Sequence, residues 1–68
     1  LVLVEGFRPG AHATLEIHRD AVGQPWLYPD DPNVLAVIGD PPPTPIRHFA
    51  LDDIPGIYRY ILDFMESR

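Results

Sequence analysis

The chain contains no cysteine, which excludes disulfides and thiolate metal sites and fits a reducing compartment. Basic residues are scarce, five against ten acidic, for a net charge of −5. The acids are scattered and no basic patch exists, so binding driven by counterion release has little to act on. No nucleic-acid partner is expected. Long apolar runs are also missing. The opening "LVLVEGF" falls far short of the ~20 residues that cross a bilayer. It has neither the basic start nor the small-residue cleavage site of a signal peptide. A cytoplasmic location without membrane contact is expected.

Nucleophiles are few as well. Thr14 and Thr44 are the hydroxyl residues of the Ser/Thr type before Ser67, and neither sits in a nucleophile motif beside a histidine. No glycine-rich phosphate loop occurs, and "GDPPP" at 39–43 is poor in the N–H donors that cradle anions. "HRD" at 18–20 shares letters with the kinase catalytic loop, but a chain of 68 residues holds nothing else of a kinase. The adjacent acids Asp30 and Asp31 lie between prolines and read as turn residues. Neither an enzymatic activity nor a cofactor is expected.

What the chain has is apolar surface and proline. Its 68 residues allow one small domain, whose ordering entropy is on the order of 100 kcal/mol. A core of this size barely offsets that cost, so rigidity from nine prolines, a histidine or carboxylate metal site, or association with another chain becomes important. Leu1 to Glu5 reads as a strand that is apolar on both faces, followed by a turn at "FRPG". His12 to Arg19 alternates, with Ala13, Leu15 and Ile17 on one face and His12, Thr14, Glu16 and His18 on the other. "DAVG" at 20–23 suits a hairpin loop, and Gln24 to Tyr28 a return strand carrying Trp26 and Tyr28. Pro25 confines that strand to an edge. Val34 to Ile38 is β-branched and apolar, hence a central strand. Asp52 or Asp53 caps a C-terminal helix with Pro55 in its first turn.

The expected fold is α+β: a small antiparallel β-meander of three to four strands with one C-terminal α-helix packed on one face. It forms a single domain over 1–68, with the meander at 1–38, a proline-rich connection at 39–50 and the helix at 52–68. On a helical wheel Ile54, Ile57, Tyr58, Ile61, Leu62 and Met65 cluster, and Tyr60 and Phe64 widen the apolar arc to roughly 200°, against the ~100° of one core contact. Ile54, Tyr58, Ile61 and Met65 are expected in the core, with Tyr60 and Phe64 at an interface. One helix covers one sheet face. The other needs the proline segment and Trp26, a second copy, or a different protein.

The functional expectation is a small acidic protein-interaction module: an accessory subunit, a homodimer, or a compact inhibitor of a protein partner. Its candidate contact residues are Tyr60, Phe64, Trp26, Pro42, Pro43 and Arg47. "PPTPIR" at 42–47 fits the letters of a polyproline ligand, P-x-x-P-x-R, but it is tied at both ends and reads better as a strut between sheet and helix. The alternative is a small metal- or ligand-binding domain using the His12, Glu16 and His18 face, with His48 within reach. No recognised ligand spacing is present, and that face is expected to be solvated.

Overall fold

The computed structural model describes residues 1–5 and 12–67. Four strands form one sheet in the order β1 (Val2–Glu5), β2 (Thr14–His18), β3 (Val34–Gly39), β4 (Arg47–Phe49), and one helix follows, α1 (Ile54–Glu66). All three pairings are parallel. Leu3 pairs with Leu15, Ile17 with Ile38, and Ile38 with Phe49. The sheet is therefore not the antiparallel meander expected from the sequence. The turn expected at "FRPG" lies outside the described residues.

The error arises in the segment after β2. Asp20–Val22 is a single 3-10 turn closed by Gly23 at φ 78°, whose N–H donates to the Asp20 carbonyl. That is the local geometry of a hairpin loop, but no return strand follows. Residues 24–26 are irregular, and Tyr28–Asp30 forms a second 3-10 turn with Pro29 in it. The chain then comes round to β3 parallel to β2. A strand apolar on both faces, such as Val34–Ile38, is the mark of a parallel sheet covered on both sides, whereas Val2 and Leu3 of β1 stay exposed.

The proline segment makes a second parallel crossover. β3 leaves the sheet at Gly39, and Arg47 re-enters opposite Ala36. The chain must return about 10 Å along the strand axis and step about 5 Å sideways. Residues 40–46, extended at ~3.1 Å each, cover that path with length left for turns. The segment is thus a tether between two strands, not the expected join from sheet to helix. Thr44 fixes it: its Oγ1 lies 2.6 Å from the Tyr28 hydroxyl, and its N–H donates to the same oxygen at 3.2 Å.

Leu15, Ala36, Ile38 and Phe49 form the buried cluster on one face, with Ile17, Ile57, Tyr60 and Ile61 packed against it. The ring of Tyr60 meets Phe49 edge-on at 5.4 Å. The opposite face is closed by the connection between β2 and β3, through Trp26, Leu27 and Tyr28. Of the coverings considered from the sequence, the chain's own Trp26 supplies part of this one.

The helix starts at the expected place. The Asp53 carboxylate accepts from the Gly56 N–H at 3.1 Å, and Pro55 occupies the first turn. Replacing Asp53 with alanine should cost about 1 kcal/mol in urea unfolding, with Asp53→Asn close to wild type. The helix's rotation differs from expectation. Ile57, Tyr60 and Ile61 face the sheet, whereas Ile54, Tyr58 and Met65 are 65, 65 and 64% exposed and are not core. An apolar arc this wide has no unique centre. The tether from β4 decides which flank of it meets the sheet.

Candidate functional site

The chemistry-bearing side chains gather where β2 and β3 end. Glu16 and His18 belong to the face of β2 away from α1. Both are buried, at 2 and 5% exposure, so that face is not solvated as the alternation suggested. Glu16 is held by backbone donors. Its Oε2 accepts from the Leu27 N–H at 2.8 Å and its Oε1 from the Tyr28 N–H at 2.9 Å. These N–H groups open the second 3-10 turn, so a buried carboxylate does for this turn what an N-cap does for a helix.

His18 lies between two acids. Its Nε2 donates to Asp20 Oδ1 at 3.0 Å, and its Nδ1 is 3.8 Å from Glu16 Oε2. The imidazole stacks on Trp26 with centroids 3.5 Å apart and planes 8° from parallel. Tyr28 closes one edge of the indole at 5.5 Å, nearly perpendicular. Asp20, 72% exposed, sits at the rim of this stack. Its backbone N–H donates to Asp40 Oδ2 at 2.6 Å, and the Asp40 N–H donates to the His18 carbonyl at 3.0 Å. The two strand ends are thereby locked together. Gly39 makes the approach possible: at φ 121°, a Cβ there would run into the His18 carbonyl oxygen.

The remaining candidates are dispersed. His12 is exposed ahead of β2. His48 is exposed, and its Nε2 donates to the Gly39 carbonyl at 2.7 Å. Among the described residues no group of three or more His, Asp or Glu is placed to hold a metal ion. Arg47 lies over the rings of Phe49 and Tyr60, at 5.0 and 5.8 Å. Pro42 is half-buried and Pro43 exposed. Phe64 is half-buried in an open apolar groove of about 390 Å³, shared with Leu1, Leu3, Ile61 and Met65. Sequence reasoning missed Asp20 and Asp40 as parts of a site. Their position just after two strands was the available signal, since parallel sheets collect function at strand carboxyl ends.

An all-parallel sheet with a helix on one face and polar residues converging at the strand carboxyl ends defines a small α/β domain. The chain belongs to the family described as MobB, molybdopterin guanine dinucleotide synthesis protein B, whose model matches residues 1–40. That match runs from β1 through the end of β3 and includes Glu16, His18, Asp20, Trp26 and Asp40. No curated protein and no solved structure matches the chain. No described helix is long and apolar enough to cross a membrane.

Proposed function

We propose that this chain serves molybdopterin guanine dinucleotide synthesis as a cytoplasmic accessory protein that works bound to a protein partner and is not itself the catalyst. The observation that carries the reading is the family match across the first three strands and the strand-end cluster. The accessory role draws on the chain's chemistry. It has neither a glycine-rich phosphate loop nor a hydroxyl nucleophile motif beside a histidine.

The partner-binding role draws on its surface. Ile54, Tyr58 and Met65 stand out from α1, with Leu51 exposed just before the helix. Monomeric proteins seldom leave contiguous apolar surface of this kind open. Asp52, Asp53, Asp63 and Glu66 are the exposed acids of this region, against Arg59. The complementary partner is an apolar patch with a basic rim, and such charge matching speeds encounter and fixes orientation.

Depleting the protein in its source cells tests this reading. Molybdopterin guanine dinucleotide content should fall, and the wild-type chain should restore it. Tyr58→Asp should restore it poorly while its thermal melt stays near wild type, because Tyr58 is exposed. Unchanged content on depletion would overturn the assignment. Full rescue by Tyr58→Asp would remove the helix from the docking surface.

A further inference from the structure

We propose that the chain cuts itself between Asp31 and Pro32, with the Asp31 carboxyl as the nucleophile on its own backbone carbonyl. This goes beyond the role in molybdopterin guanine dinucleotide synthesis and does not depend on it.

The sequence holds two aspartyl–prolyl bonds, Asp31–Pro32 and Asp40–Pro41. In each, the side-chain carboxyl can close a five-membered ring on the peptide carbonyl carbon, and the leaving nitrogen is a tertiary amide without an N–H. The fold treats the two differently. Asp31 is 6% exposed, and its Oδ2 is buried and accepts no hydrogen bond among the described residues. Buried carboxylate oxygens without a donor are rare, because their desolvation goes uncompensated. The companion Oδ1 accepts from the Asn33 N–H at 2.9 Å. The ring closed by that bond runs through the Asp31 carbonyl carbon and the Pro32 nitrogen, so the carboxyl is held alongside the bond to be cut.

The carbonyl is held as well. Its oxygen accepts from the Val34 N–H at 3.1 Å. That donor is already in place when negative charge gathers on the oxygen during attack. Asp40 is engaged elsewhere: its Oδ2 accepts from the Asp20 N–H, which commits the carboxylate to the end of β2.

The chemistry balances without a cofactor. In its neutral form the Asp31 carboxyl carries one O–H. Oδ2 attacks the Asp31 carbonyl carbon and closes the ring. The C–N bond to Pro32 breaks, and the carboxyl proton passes to the departing nitrogen. The products are a cyclic anhydride at Asp31 and a secondary amine at Pro32. Pro32 is exposed, so water reaches the anhydride and opens it to two carboxyls. Nothing is oxidised or reduced, and water is the one co-reactant. Holding nucleophile and carbonyl in one short turn replaces a bimolecular encounter with a unimolecular step. Because the acid form supplies the proton, the cut accelerates as pH falls. It lies in the connection between β2 and β3, so residues 1–31 and 32–68 each keep two strands of the sheet.

The test is a time course of the purified full chain at a mildly acidic pH where its amide spectrum is still that of the folded protein, with fragments identified by mass. The same incubation in urea is the unfolded reference. From the folded chain, fragment 32–68 should accumulate about tenfold faster than fragment 41–68, or more. In urea the two bonds should break at comparable rates, because the turn and its burial are gone. Pro32→Ala changes an exposed residue and keeps the carboxyl. It should slow the cut by about tenfold or more while the folded spectrum persists.

No fragment 32–68 from the folded chain would overturn the proposal. Equal cutting at both bonds in the folded chain would do the same. An identical preference for the first bond in urea would assign it to local sequence and not to the fold, and would also sink the idea. A Pro32→Ala chain cut at the wild-type rate would rule out the mechanism.

Discussion

Replacing Gly39 with alanine should destabilise the fold by about 3 kcal/mol or more. Two independent costs combine. The backbone at φ 121° lies in a region that residues with a Cβ rarely adopt, and the added Cβ meets the His18 carbonyl oxygen. Relief of that collision would push β3 from β2 and break the bond from the Asp40 N–H to the same carbonyl. Domains of this length have total stabilities of only about 3–10 kcal/mol, so the variant should be largely unfolded well below the wild-type melting temperature. Gly23→Ala supplies the control. It also has positive φ, but nothing lies within contact of its Cβ. Its cost should be smaller, of order 1 kcal/mol. Thermal melts of the two variants should rank in that order, and equal losses would mean that the strand-end approach at Gly39 is looser than described.

Replacing Glu16 with alanine should cost about 3–6 kcal/mol, because two charge-assisted bonds of about 1.5–3 kcal/mol each disappear. The loss is not offset by relief of burying a charge. Removing one side of a buried polar set leaves the other side unsatisfied, and here the Leu27 and Tyr28 N–H groups lose their acceptors. Leu27 is itself buried, so water does not readily replace the carboxylate. Glu16→Gln keeps one carbonyl acceptor and should fall between wild type and Glu16→Ala. Urea unfolding with the mid-range variant included separates a hydrogen-bonding role from simple packing. If Glu16→Gln is as damaged as Glu16→Ala, shape and volume are not what the site requires, and the charge itself is essential.

Several elements were legible from residues, although the strand expected at Gln24–Tyr28 is absent. Val34–Ile38 announced a strand by its β-branched apolar run, and "DDIPG" announced a capped helix start that the Asp53 to Gly56 bond realises. Strand direction was not legible. The turn at 20–23 has the local form of a hairpin, and only the absence of a partner for residues 24–28 reveals that it is not one. Pairing direction is set by where the whole connection lands, which no short window records. The two-sided apolar strand at 34–38 carries the parallel signal, and of the coverings the sequence leaves open for the second face the chain's own Trp26 supplies part.

The site was half legible for a related reason. Glu16 and His18 were singled out, but alternation placed them on a solvated face. Their burial depends on backbone N–H groups eleven and twelve residues further on, and on a tryptophan ring brought over by an irregular loop. Backbone donors leave no mark in a sequence. The outward flank of α1 is Ile54, Tyr58 and Met65, three residues that the sequence places in the core. The width of the apolar stripe was evident, and its division between sheet and surface was not.

The central claim is that this chain takes part in building molybdopterin guanine dinucleotide. Reconstitution addresses it most directly. Extract from cells depleted of the protein is supplied with molybdopterin and a guanine nucleotide, and dinucleotide formation is followed with and without the purified chain. The account predicts that formation is slow in the depleted extract and rises on adding the wild-type chain. It also predicts a much smaller rise with Tyr58→Asp. A depleted extract that forms the dinucleotide at the undepleted rate, indifferent to added protein, would contradict it.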